Sequence, residues 1–230
     1  MQAKEADHAE KSSSDRVVDY VTQGVLNGRI VPGQRLVEAD LTDAVGVSRG
    51  PVREGLRRLE VTGIVSQSRH RGAFVRKLSR REASDLVIAI EPLAILIASL
   101  AARAVCCASA SEVADVVRHL DSYIEQREDT GALLSQRRHF YDLLVKFGGN
   151  SQIPSILPIM RIQLMRLQVQ SFADAENRIQ HLEDYSRIAN AVAAGNVKEA
   201  ERTMMQHMRN MKKALDRLPD EAFANSVELD

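Results

Sequence analysis

Tryptophan is absent from this 230-residue chain, and aromatic residues of all kinds make up only 4% of it. A chain this long can bury a sizeable core, and here that core must come from Leu, Ile, Val, Ala and Met within a hydrophobic share of 44%. That is the palette of packed helices. The two cysteines are the adjacent Cys106 and Cys107 in an alanine-rich run, too close for an ordinary disulfide across a fold. They read as small buried apolar residues in a cytosolic chain. No uninterrupted run reaches the ~18 apolar residues of a membrane span; the greasiest zone, 86–105, is broken by Glu91, Ser99 and Arg103, so a soluble protein is expected. The polar opening MQAKEADHAEKSSS has no apolar h-region, and no secretory signal is expected.

Net charge is also lacking, with 31 basic and 31 acidic residues, but the two signs are segregated. From Arg49 to Arg81, ten Arg and Lys face only Glu54 and Glu60, a local charge of +8. Residues 82–230 carry sixteen basic and twenty-one acidic side chains, net −5. A basic head on an acidic body implies two domains, and the partner implied for the head is nucleic acid.

Residues 1–13 read as a disordered polar tail. Ser14 or Asp15 can cap a first helix on the rhythm Val17, Val18, Val21, Val25, which Asn27-Gly28 ends. Pro32-Gly33 makes a turn with Arg35 just past it. A second helix runs from about Glu38 to Val45 and stops at Gly46; a third starts at Pro51, capped by Gly50, and stops at Gly63. Along the third, Arg49, Arg53 and Arg57 recur at i, i+4, i+8, while Val52, Leu56 and Leu59 form the opposite, apolar side. Helix, short turn, helix is the helix-turn-helix arrangement, whose second helix enters the major groove by its N-terminal end. Arg49 and Arg53 then sit at the reading end, and Arg57 and Arg58 suit phosphates. Ile64–Ser68 and Ala73–Val75, joined by Arg69-His70-Arg71-Gly72, read as a β-hairpin wing.

Residues 82–218 hold the i, i+3, i+4, i+7 rhythm of consecutive amphipathic helices. Pro92 inside the first predicts a kink or restart. Segments 113–124, 133–147, 153–169, 176–194 and 197–218 give the rest, an antiparallel bundle with short connections. Residues 219–230 read as an acidic tail.

The phrases PGQRLVEADL, VGVSRGPVREGLRRLE and GIVSQSRHRGAFV, in order across residues 14–78, resemble the DNA-binding domain of the GntR family of bacterial transcription regulators. DLVIAIEPLAILIASLAARA, FGGNSQI and AVAAGNVKEAERTMMQHM resemble landmarks of the FCD (FadR-type) effector domain that follows it in one subfamily, here 79–218. The resemblance implies a mainly α protein, a winged helix-turn-helix followed by an all-α bundle. It also implies a homodimer on a palindromic operator, controlled by a small ligand. Carried onto this chain, the DNA contacts are Arg35, Ser48, Arg49, Pro51, Arg53, His70 and Gly72, to which the helix reading above adds Arg57. Gly50 and Gly55 depart from the family phrase, which has Thr or Ser and then Ala.

FCD proteins usually hold a divalent metal on an Asp and three His. Of the positions concerned, Arg137, Tyr141, Tyr185 and His207, only the last keeps its ligand, and a guanidinium is the wrong charge for a cation site. No metal is therefore expected. Arg137 instead would fork onto a small organic acid, with Tyr141, Tyr185 and His207 around it and Arg166 as a second cation. The blander alternative makes these core or surface residues. The overall reading is a ligand-responsive repressor; an architectural or constitutive DNA-binding regulator, whose bundle only dimerises, stays open beside it. Paired carboxylates, a nucleophile–base phrase and a phosphate-cradling glycine loop are lacking, so no enzyme is expected.

Overall fold

The computed structural model describes residues 11–68, 71–105, 111–113, 115, 118, 130–172 and 175–224. Cys106, Cys107 and His70 lie outside these residues.

The N-terminal unit consists of α1 (Ser13–Leu26), β1 (Arg35–Leu36), α2 (Glu38–Val45), α3 (Arg49–Val61), β2 (Val65–Ser68) and β3 (Gly72–Val75). Its antiparallel sheet has the order β1-β3-β2. Ser68 pairs with Gly72 at the hairpin end, and Arg35 pairs with Phe74. The two-residue β1 is too short to announce itself in the sequence. The tail also ends earlier than expected: Ser12 caps α1, accepting from the Asp15 amide while the Asp15 carboxylate accepts from the Ser12 amide. This reciprocal capping box satisfies two orphan donors where a cap at Ser14 or Asp15 would satisfy fewer. Gly46 and Gly63, at φ of 69° and 71°, stop α2 and α3.

The third helix begins earlier than Pro51 suggests. Ser48 is its extended N-cap, and Arg49 and Gly50 are already helical. Pro51 fits at the third position because the first turn's N–H groups have no intrahelical partner to lose. Valines 17, 21 and 25 of α1 and Val52, Leu56 and Leu59 of α3 fill the small core. At the α1–α3 crossing, a Cβ on Gly55 would lie 2.8 Å from Val17 Cβ and 3.3 Å from the Ser14 carbonyl oxygen. Helix propensity alone favours Ala over Gly by ~1 kcal/mol, whereas overpacking a rigid contact costs about 1–3 kcal/mol. Gly55→Ala should therefore lower stability by roughly 1 kcal/mol in urea unfolding; a gain would mean α1 can step aside freely.

The second unit is built on α4 (Arg80–Ala104), which runs unbroken past Pro92 from a Ser79/Glu82 capping box. By length and composition alone α4 could cross a membrane; here Ala94, Ile97, Ala98 and Ala101 bury it in the core. It packs against α5 (Thr130–Gly148), α8 (Ala175–Ala193) and α9 (Val197–Arg217). The expected single helix 153–169 is two, α6 (Ile153–Ile156) and α7 (Ile159–Val169). Pro158 divides them, lacking an N–H and holding Leu157 extended at ψ 123°.

Helix α7 belongs to both units. Leu164 and Leu167 complete the N-terminal core while Met165 belongs to the bundle core. Buried Gln168 accepts from the Leu78 amide at 2.8 Å and donates to the carbonyls of Leu78 and Ala222 at 2.7 and 2.8 Å. The segment after Pro219 is correspondingly no free tail as far as residue 224. Ala222 and Phe223 are buried, Arg80 stacks 4.4 Å over the Phe223 ring, and the Ala224 amide donates to Leu78.

Candidate nucleic-acid interface and bundle cavity

The N-terminal end of α3 stands clear of the protein. Ser48, Arg49, Arg53 and Arg57 are exposed and Pro51 is half-buried; the Ser48 hydroxyl makes no capping bond. Arg53 is oriented by a residue that sequence reading passed over. Its Nε donates to both carboxylate oxygens of Glu38, at 3.1 and 3.0 Å, while the side chain stays 63% exposed. Among the described residues Arg57 has no ion pair. Arg58 does: it donates to Asp15 at 2.7 Å and ties α3 to the start of α1. The i, i+4 spacing that groups the arginines gives no sign of which one a neighbouring helix has already taken. Arg35 lies beside the wing, its Nε 3.7 Å from where a Gly72 Cβ would be.

The five residues expected to surround one effector adjoin one another but do not all face one cavity: the Tyr141 ring lies 6.1 Å from Tyr185, Tyr185 lies 5.0 Å from His207, and Arg166 lies 5.2 Å over Tyr141. Tyr141 and Arg166 line a cavity of about 300 Å³ between α4, α5, α7 and α9. Arg137, Tyr185 and His207 do not line it; Tyr185 and His207 are core residues, 3% and 1% exposed. The resemblance groups four of these positions by sequence landmarks alone; in the fold Tyr185 and His207 are buried between α8 and α9, and Arg137 on α5 is half-buried. The cavity has Arg138, Lys146 and Arg166 as its cations, while the charge of Arg137 bears on Tyr141 and His207 behind it.

Behind the Tyr141 wall lies a polar cluster in the bundle core. His207 Nδ1 is 3.2 Å from Asp184, and its ring is 5.0 Å from Tyr185 and 5.6 Å from His181. Asp184 also accepts from Asn210 at 2.9 and 3.1 Å and from Gln180 at 3.1 Å. Burial opposes the Asp184 charge, yet these donors together hold its carboxyl below the usual carboxylate range. Burial lowers His207 in spite of Asp184. His181 is pushed down to about 3, by burial first and then by the charges of His207 and Arg137. Both rings are therefore neutral at pH 7, and His207 Nδ1–H donates to Asp184. Asp184 was missed although its position one turn before Ile188 puts a carboxylate on the apolar stripe of α8.

Among the described residues no three His, Cys, Asp or Glu side chains converge as a cation site. His207 Nε2 is buried without a hydrogen-bond partner, but the Asp184 carboxylate is taken by His207, Asn210 and Gln180, and the charge of Arg137 bears on both imidazoles. The residues present do not fit a divalent metal.

The model for bacterial regulatory proteins of the gntR family matches residues 13–75, and that for the FCD domain matches 84–210. The HTH-type transcriptional regulator LutR of Bacillus subtilis is 26% identical over 213 residues, covering 83% of this chain and 95% of LutR. The galactonate operon transcriptional repressor of Escherichia coli is 23% identical over 199 residues, covering 79% of this chain and 87% of the repressor. Among solved structures, E. coli McbR/YncC aligns with a TM-score of 0.76 at 18% identity, over 90% of this chain and 98% of McbR/YncC; at that identity the likeness shows the fold.

Proposed function

This chain belongs to the GntR family and is a transcription regulator with an FCD domain, and we propose that it represses its operon from the cytoplasm as a homodimer on a palindromic operator, released by a small organic acid held in the bundle. The observation that carries the DNA half is the exposed Arg49–Arg53–Arg57 face, with Arg53 oriented on Glu38. Two Nη donors on a guanidinium fixed at Nε suit the paired acceptors of a guanine edge. Arg49, Ser48, Arg35 and the wing at His70 and Gly72 supply the surrounding contacts, and Pro51 sets the approach of the helix end.

A dimer is supported by α4, on which Ile88 (51% exposed), Pro92 and Leu96 (42%) leave an apolar stripe at i, i+4, i+8. A two-fold axis would set this stripe against itself and present two heads to two half-sites. Control by a ligand is supported by Gln163. It lines the cavity and its Nε2 donates to the carbonyl of Leu26, the last residue of α1, at 3.2 Å, so an occupant that shifts α7 shifts the DNA-binding head with it. A bundle that only dimerises has the burial of Tyr185 and His207 in the core in its favour; the cavity beside Arg166 weighs against it.

Electrophoretic titration of a DNA site selected from a random pool tests the DNA half. Arg53→Ala should lose about 1–3 kcal/mol of discrimination at one base position, while Arg57→Ala should weaken binding about equally on all sequences. Uniform loss from both would remove Arg53 from base readout.

A further inference from the structure

Ten of the sixteen residues lining the bundle cavity are apolar, including Ile90, Ala94, Ile97, Leu157, Ile162 and Met208. The polar groups are few and unequal. Arg138 lies 3.9 Å from Asp142, and Lys146 lies 3.2 Å from Glu112. Arg166 is half-buried, held 5.2 Å over the Tyr141 ring, and among the described residues no carboxylate pairs with it. The Tyr141 hydroxyl reaches nothing better than the Met204 sulfur, 4.0 Å away, and burial, its largest influence, keeps it a neutral phenol and therefore a donor.

A half-buried cation with no ion pair of its own, sharing the charge of Asp142 with Arg138 and His139, beside a hydroxyl donor held only by a thioether sulfur, is a place for one anionic head; the hydrocarbon wall behind them is a place for an apolar body. From this juxtaposition we infer that the cavity takes a monocarboxylate with an unsubstituted alkyl or aryl body, anchored on Arg166 and Tyr141, and rejects polyhydroxylated sugar acids. The inference rests on the reading of this cavity as the effector site and adds the ligand's chemical class. About 300 Å³ at ~30 Å³ per small-molecule heavy atom holds on the order of ten non-hydrogen atoms, a carboxylate with seven or eight carbons behind it. Hydroxyls of a sugar acid turned toward the ten apolar wall residues would meet hydrocarbon, at roughly a tenfold loss of affinity per unpaired group. Arg166 takes a carboxylate through two parallel N–H donors, and Tyr141 can supply a third bond to the same head.

The test titrates the full chain with octanoate, octan-1-ol and D-galactonate, following the melting temperature and the calorimetric Kd. Octanoate should raise the melting temperature in proportion to its concentration, octan-1-ol should bind at least tenfold more weakly, and D-galactonate should leave the melt unmoved. Arg166→Gln should weaken octanoate by about 10- to 100-fold and leave octan-1-ol nearly unchanged. Ala94→Leu, which fills the cavity from α4, should abolish both. Stabilisation by D-galactonate at or above that by octanoate overturns the class, and so does the absence of any octanoate binding. Undiminished octanoate binding to Arg166→Gln, or to Ala94→Leu, overturns the site. Octanoate that binds as expected but leaves affinity for a selected DNA site unchanged at saturation upholds the inference and removes the effector reading beneath it.

Discussion

Asp184→Ala should cost about 3–5 kcal/mol of folding stability, the largest single-residue effect expected in this protein. The carboxylate is 2% exposed and accepts from His207, Asn210 and Gln180. Truncating it removes every one of those bonds but leaves their donors inside the bundle. Buried donors without acceptors incur the full desolvation penalty, whereas an exposed ion pair such as Arg187–Glu183 is worth about 0–1 kcal/mol. Urea unfolding of the variant reads the difference directly. A cost below 1 kcal/mol would mean that the cluster is hydrated rather than closed, and that Asp184 is not the acceptor holding α8 to α9.

Acid should weaken the same region well before carboxylates titrate. His181 has its pKa lowered to about 3 by burial, with the charges of His207, Arg137 and Arg166 adding to the effect and Asp184 opposing it. The unfolded chain protonates the ring near 6.5, so below that pH it binds a proton that the folded chain refuses. Stability contributed by the neutral ring is present at pH 7.5 and declines as the pH falls from about 6.5 toward 3. Between pH 7.5 and 5.0 the loss from His181 alone is ~2 kcal/mol. Burial lowers His207 too, which adds in the same direction. Asp184, held below the usual carboxylate range, contributes no change over this interval, since it is ionised throughout in both states. Urea midpoints at the two pH values, compared between the wild-type chain and His181→Gln, separate the His181 share. An equal pH dependence in the variant would assign the loss elsewhere.

The two heads of the molecule differ in how openly their sequences speak. In the DNA-binding unit, period and punctuation agree. Valines at helical spacing, glycines at the two helix ends and alternating arginines give the helices, their order and the exposed basic face. Pro51 misplaced the start of α3 by one half-turn, because proline is equally at home anywhere in a first turn whose amides are free. The two-residue β1 carries no periodicity at all. Gly55 reads as a small loss of helix propensity until Val17 is found 2.8 Å from its missing Cβ.

In the bundle, the sequence by itself determined that amphipathic helices follow one another and which of their faces turn inward, and, at the positions the family resemblance singles out, that Arg137 and two tyrosines are poor ligands for a cation. Those follow from chemistry local to one helix. Only the tertiary structure decided which inward-facing residues share a space. Helices of one stripe pattern can pack at several rotations, and the rotation adopted puts His207 against Asp184 and Arg166 against the cavity. The same holds for the coupling between units. Nothing in the composition of α7 distinguishes Leu164 and Leu167, which complete one core, from Met165 in the other, or marks Gln163 as the side chain that touches both the cavity and the end of α1. Hydrophobic period reports that a face is buried; the partner that buries it is a property of the whole chain.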